Sequence, residues 1–149
     1  MDYEELEIET AFENGGEIPV KYTGAGQNVS PEFKIHNLAA ETESLVIILE
    51  DLSHPVKDFT HWIAWNIEAE SVVPENAGAL DGVVQGIAYG YHKYAGPKPP
   101  KGKKHIYRFS IYSLDTRLNL KSNTIKSRLL KSMKGHILQK GTVTGWFER

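Results

Sequence analysis

His105-Ile106-Tyr107-Arg108-Phe109-Ser110-Ile111-Tyr112-Ser113-Leu114 decides the fold class. Its side chains alternate in character along the whole stretch, the period of a strand. His105, Tyr107, Phe109 and Ile111 share one face, and Ile106, Arg108, Ser110 and Tyr112 share the other. Upstream, Leu45-Val46-Ile47-Ile48-Leu49 is a continuous aliphatic run, too short for a helix and suited to a strand covered on both faces. Glu50 and Asp51 end that run, and charges at the end of a buried strand fall at a sheet rim, where pockets form.

Residues 61–67 read as another strand. Strict alternation puts His61, Ile63, Trp65 and Ile67 on one face and Trp62, Ala64 and Asn66 on the other. Residues 6–12 alternate as a half-buried strand, Asn14-Gly15-Gly16 reads as a turn, residues 32–36 as a short strand and residues 142–148 as a last one carrying Trp146. A single helix is predicted over 123–134. Ser122 or Asn123 would cap it, and Ile125, Leu129, Leu130 and Met133 fall at helical spacing. Gly135 is placed to end it, and Lys131 and Lys134 suit the negative end of its dipole. Between the strands, residues 68–104 show little periodicity and many glycines and prolines, and so long a stretch in a compact domain is more often functional than idle. The expected architecture is mainly β, a sandwich with one appended C-terminal helix, in a single domain over 1–149.

The composition narrows the function. Hydrophobic content of 40% and charged content of 24% are ordinary for a soluble protein, and no apolar run approaches the ~20 residues that span a bilayer. The acidic N-terminus, Met1-Asp2-Tyr3-Glu4-Glu5, does not resemble a secretory signal, so a cytoplasmic protein is expected. Without cysteine there is no disulfide, thiolate ligand or cysteine nucleophile. The net charge of −2 hides an asymmetry: residues 1–97 hold 17 acids and 4 bases, whereas residues 98–149 hold 13 bases and 2 acids. The bases are spread over a strand, a helix and a loop rather than one block. The two parts are therefore expected to pack together and partly neutralise, with no nucleic-acid partner and no stable membrane insertion.

Asp51, His61, His105 and Tyr107 fall at strand ends or share a strand face, and if the rims coincide they converge. A carboxylate can fix a histidine's tautomer, and imidazole N–H and phenol O–H can donate to phosphate or carboxylate oxygens. A nearby Asp51 would raise a histidine from its ordinary pKa of about 6.5 and retain imidazolium at neutral pH, so anion affinity should strengthen as pH falls. Each residue alone also has a structural reading: a hydrogen-bonded histidine, a core tyrosine, a turn-capping aspartate. His54, His61, His105 and Asp51 are chemically adequate for zinc or copper, yet no His-x-His or His-x-x-x-His pair marks a metal site, and none is expected. There is no Gly-x-Ser-x-Gly elbow, P-loop or dinucleotide fingerprint, so no catalytic residue and no cofactor is assigned.

The order of the motifs resembles the phosphatidylethanolamine-binding protein family, also called Raf kinase inhibitor-like, in its small bacterial or archaeal form. Asn28-Val29-Ser30-Pro31, Asp51 to Pro55 with His61-Trp62, Gly96-Pro97-Lys98-Pro99-Pro100 with His105-Ile106-Tyr107, Gly135-His136-Ile137-Leu138 and Gly145-Trp146-Phe147 carry the resemblance. It implies a Greek-key β-sandwich with an anion pocket at one end. By position, the pocket would use Asp51, His61, His105 and Tyr107, walled by Gly96, Pro97 and Pro99. The family's second acid falls at Ser53 and its alanine at His54, so the rim loses a negative charge and gains a titratable base. Its arginine between His and Tyr is Ile106, which alternation sends to the opposite face.

The resulting expectation is a non-enzymatic binding protein for a small anion (phosphate, phosphoethanolamine or a carboxylate). The resemblance also implies regulation or inhibition of a protein partner, a kinase or serine protease, and admits a homodimer. The alternative is a protease inhibitor working through the exposed 71–104 loop with the pocket incidental. A metal-assisted hydrolase is the weakest reading.

Overall fold

The computed structural model describes residues 3–149; Met1 and Asp2 of the acidic N-terminus lie outside the described residues. Ten strands and one α-helix run in chain order: β1 (Glu4–Glu5), β2 (Ile8–Thr10), β3 (Gly16–Glu17), β4 (Phe33–Ile35), β5 (Ser44–Asp51), β6 (Phe59–Ile67), β7 (Val72–Val73), β8 (Val84–Gln85), β9 (Lys104–Leu114), α1 (Lys126–Met133) and β10 (Ile137–Glu148). They build a seven-stranded sheet in the order β1-β10-β9-β5-β6-β8, with β3 also paired to β10, and a three-stranded sheet in the order β2-β4-β7. The chain is mainly β, as its alternation predicts. Two antiparallel pairs, β5–β6 and β9–β10, form the centre, and β9 returns by the long connection to lie beside β5. That return beside an earlier strand is the connectivity feature of a Greek key.

The aliphatic run sorts its side chains as a doubly covered strand must. Leu45, Ile47 and Leu49 meet Phe109, Ile111 and Trp62 between the two sheets, against Phe33, Ile35 and Val73 of the smaller one. Val46 and Ile48 point the other way and meet Ile63, Trp65, Tyr112 and Leu114 beneath Leu129 and Met133 of α1. All eight residues of β5 are buried, and each large apolar side chain so buried contributes about 1.5–3 kcal/mol.

Strand β6 departs from simple alternation. Its register against β5 slips twice, between the pairs Leu45↔Ile67 and Ile47↔Ala64 and between Leu49↔Trp62 and Glu50↔Thr60. Each slip inserts one residue and reverses the parity of the residues beyond it. Trp62, Ala64 and Ile67 therefore share the inter-sheet core, whereas Ile63 and Trp65 face the helix. The predicted grouping of His61, Ile63, Trp65 and Ile67 on one face does not hold.

The helix is shorter than predicted and begins differently. Ile125 is its N-cap, in extended backbone and without a side-chain cap bond, and neither Ser122 nor Asn123 serves. Its start is held instead by Lys126, whose Nζ donates to Glu50 Oε2 at 2.7 Å and to the Asp58 carbonyl at 3.0 Å. Leu129 and Met133 are buried, but Ile125 and Leu130 remain exposed. Gly135 ends the helix region as expected, at φ +86°. Strand β10 starts earlier than predicted because it pairs along the whole of β9 and reaches Ile137. The 6–12 strand is laddered only at Ile8–Thr10.

The long connection is fastened rather than loose. The Tyr94 hydroxyl donates to the Tyr22 carbonyl at 2.7 Å, the Gly96 amide to Asn28 Oδ1 at 2.8 Å, and the Gly24 amide to the Pro97 carbonyl at 2.8 Å. These bonds lay residues 94–97 across the end of the sandwich.

Candidate functional site

Asp51 is the last residue of β5, level with Phe59 of β6 and Tyr107 of β9. Alternation aims it to the same side as Leu45, Ile47 and Leu49, so it stands where the inter-sheet core ends. Only 2% of it is exposed. A carboxylate this buried needs donors, and it has two: Oδ1 accepts the Ser53 amide at 2.9 Å and Oδ2 accepts His105 Nδ1–H at 2.7 Å.

His61 arrives through the second register slip in β6. The extra residue there places its ring 5.5 Å from the Tyr107 ring and its Nε2 3.9 Å from Asp51 Oδ2. His61 Nδ1–H donates to the Ala95 carbonyl at 2.9 Å, so the long connection fixes the ring's orientation. Burial pushes the His61 pKa below its usual value, outweighing the Ala95 bond and the Asp51 charge that act upward. The expectation that Asp51 would raise it and hold imidazolium at neutral pH is corrected for this residue: desolvation is the larger effect.

Asp51, His61, His105 and Pro99 border one cavity of about 620 Å³. The remaining predicted site residues stand behind its wall. The Tyr107 hydroxyl is sealed and has no well-formed hydrogen bond among the described residues, and burial raises its phenol far above the usual range, reinforced by the Asp51 charge. Gly96 and Pro97 are buried in the strap that carries Lys98 and Pro99. A Cβ at Gly96 would come within 2.5 Å of the Tyr22 carbonyl oxygen, so only glycine allows the strap to seat.

Sequence reasoning does not assign Lys98, Lys103 and Tyr89, which also border the cavity. The two lysines are exposed and make no ion pair among the described residues. Their signal is the local concentration of bases over 98–104, visible only as part of the basic third. Ser53 and His54, two of the three departures from the family's pattern, are both on the wall. Ser53 Oγ accepts the Ile106 amide at 2.9 Å. His54 stacks on Phe59 with ring centroids 3.9 Å apart, and its Nδ1 accepts the Val56 amide at 3.0 Å. Ile106 itself is exposed, away from the cavity, as alternation predicts.

The cavity thus gathers one carboxylate, two ammonium groups and three imidazoles. Such a site can hold an anion by charge at its mouth and by directed polar groups within. Among the described residues no group of three or more His, Cys, Asp or Glu side chains is arranged to hold a metal ion. A second cavity of about 340 Å³ lies near Glu9, Glu32 and Glu75, carboxylates that repel anions. Among the described residues no helix is long and apolar enough to cross a membrane.

The family model of the phosphatidylethanolamine-binding proteins matches residues 8–148. A UPF0098 protein of Archaeoglobus fulgidus is 45% identical over 150 residues, which cover 97% of this chain and 51% of that relative. The chain spans about half of that relative's length. A UPF0098 protein of Pyrococcus horikoshii is 41% identical over 97% of this chain and 77% of its own. Among solved structures, a phosphatidylethanolamine-binding protein homologue from Chlamydia trachomatis superposes with a TM-score of 0.86 at 34% identity, covering 97% of this chain and 98% of the other. YbcL of E. coli, described as a member of the mammalian family of that name, gives 0.86 at 25% identity, covering 97% and 99%.

Proposed function

The chain belongs to the phosphatidylethanolamine-binding protein family, and from that premise we propose that it is a non-enzymatic binding protein for a small anion, a phosphate or carboxylate group, taken up in the Asp51–His61–His105 cavity. One observation carries the reading: two lysines without ion-pair partners among the described residues, at the mouth of a cavity whose one bordering carboxylate, Asp51, is already bonded to His105. The free positive charge is at the entrance, where it draws an anion, and the buried negative charge is engaged. A headgroup's ammonium has no second acid at Ser53 to meet, so the anionic end of phosphoethanolamine is the part recognised.

A two-dimensional NMR titration of the histidine side chains with inorganic phosphate and with phosphoethanolamine, at pH 6 and pH 8, tests this. Saturable shifts of His61 and His105 are expected. Absence of shifts with both ligands overturns the proposal.

A second reading, inhibition of a kinase or serine protease, draws on Tyr89 and Tyr91, which are 43% and 47% exposed and stack 6.0 Å apart beside the cavity. Aromatic rings in that position suit a protein contact. Micromolar protein leaving chymotrypsin-like and subtilisin-like proteases fully active would remove the protease form of it.

A further inference from the structure

Resting on the anion reading above, we infer that the cavity selects phosphate groups that still carry a proton, namely inorganic phosphate and phosphomonoesters, over oxyanions that carry none. The direction of the hydrogen bonds at the two inner histidines points this way. A carbonyl oxygen only accepts, so the 2.9 Å contact of His61 Nδ1 with the Ala95 carbonyl places that ring's proton on Nδ1. The 2.7 Å contact of His105 Nδ1 with the Asp51 carboxylate does the same for His105. In its neutral form each ring therefore carries a lone pair on Nε2, and that of His61 lies 3.9 Å from Asp51 Oδ2. Neither Nε2 has a hydrogen-bond partner among the described residues, and neither is sealed as the Tyr107 hydroxyl is.

The inner wall is consequently made of acceptors: His61 Nε2, His105 Nε2 and the Asp51 carboxylate. The other groups facing His61 do not change this. Tyr107 on β9 is sealed, and Tyr89 on the long connection meets the His61 ring at 4.6 Å between centroids. His54, from the β5–β6 loop, and the two lysines also border the cavity, and His54 acts on His61 in the same direction as burial. A bare oxyanion pushed inward would oppose lone pair to lone pair. A protonated phosphate brings one O–H, which can donate to an Nε2 while its charged oxygens point outward to Lys98 and Lys103. Burial holds His61 neutral at pH 7.5, so at that pH a proton shared with His61 Nε2 comes with the ligand.

Inorganic phosphate keeps a proton as monoanion and as dianion. A phosphomonoester loses its last proton near pH 6 and would have to recover it from water on binding. Sulfate and dimethyl phosphate have none to offer. Isothermal calorimetry on the unmodified protein at pH 7.5, in two buffers of different ionisation enthalpy, separates these cases. Inorganic phosphate is expected to bind at least about tenfold more tightly than sulfate, the equivalent of one unmade hydrogen bond. Methyl phosphate should bind with uptake of nearly one proton, and dimethyl phosphate, an anion of the same charge as the methyl phosphate monoanion, should bind at least as weakly as sulfate. Sulfate binding as tightly as phosphate, or methyl phosphate binding without proton uptake, overturns this selectivity while leaving the anion reading in place. No binding of any of the four overturns the anion reading, and the selectivity with it.

Discussion

Asp51 Oδ2 accepts the Nδ1 proton of His105 at 2.7 Å, and this bond ties the end of β5 to the start of β9 at the cavity. It fixes the tautomer of His105 and, with the Ser53 amide on Oδ1, satisfies a carboxylate that is otherwise shut away from water.

Asp51→Asn keeps the shape and removes the charge. The amide nitrogen cannot accept, so either Ser53 N–H or His105 Nδ1–H loses its partner, at a cost of about 1–3 kcal/mol in unfolding stability. His105 is then free to carry its proton on Nε2 and to donate it. Urea unfolding should show the loss of stability, and sulfate titration should show a weaker discrimination against sulfate than in the parent. Unchanged stability together with unchanged discrimination would mean the bond has no role in setting the tautomer.

His105→Ala removes the ring while leaving the lysines and His61 in place. Phosphate at a hundred times its Kd should stabilise the parent by about 2.7 kcal/mol, a rise of several degrees in Tm. In the variant that rise should vanish. A variant that still gains the full increment would show that phosphate binds outside the cavity.

The ligand-free protein should lose stability as pH falls below about 6.5, the ordinary histidine value. His61 has a lowered pKa in the folded state, so the unfolded chain binds its proton first. Stability from this group is therefore complete above the unfolded pKa and drains away through the window down to the folded one. The carboxylates add their own acid sensitivity at lower pH, so the comparison is between the parent and His61→Gln. Unfolding between pH 5 and 7.5 should give a flatter profile for the variant, and parallel profiles would show that His61 titrates as freely as in the unfolded chain.

Glu50 supplies a control on the opposite face of β5. Its carboxylate takes Arg108 Nη2 at 2.8 Å and Lys126 Nζ at 2.7 Å, joining the sheet to the start of α1. Removing one member of a fully buried ion pair costs about 3–5 kcal/mol, and the partial exposure of Arg108 and Lys126 brings the expected loss for Glu50→Gln to about 2 kcal/mol. Phosphate affinity should not change, since Glu50 is not on the cavity wall. A large drop in affinity would mean that the helix and the cavity are coupled.

Much of this architecture is legible in the chain. Residues 105–114 alternate without interruption, and the structure divides Tyr107, Phe109 and Ile111 from Tyr112 and Leu114 as period two requires. The convergence of Asp51, His61 and His105 is legible too, through motif order. Two things are not. A bulge leaves no mark on hydrophobic periodicity, so alternation alone groups Ile67 with Ile63 and Trp65, which face the other way. The start of α1 carries no capping side chain, and the Lys126–Glu50 bond that anchors it to the sheet joins residues 76 apart in the chain. Gln139 escapes as well. It is buried in β10, where its Oε1 accepts the Ala39 amide at 2.8 Å and its Nε2 donates to the Asn37 carbonyl at 2.8 Å, partners that only the fold supplies.

Asn66 is the residue that makes the other bulge in β6 possible. It holds φ at +58°, in the left-handed region that asparagine tolerates better than other side chains. Its Nδ2 donates to the Leu118 carbonyl at 2.9 Å and its Oδ1 accepts the Leu118 amide at 2.8 Å, pinning the β9–α1 connection to the sheet. Asn66→Ala should lose both bonds and add backbone strain, for a total of about 2–3 kcal/mol. Asn66→Gly relieves the strain but not the bonds, so it should fall between the parent and the alanine variant. Chemical unfolding of the three proteins separates the two contributions. Equal losses for glycine and alanine would mean that the hydrogen bonds to Leu118 alone hold the bulge, and that its backbone geometry costs the chain nothing.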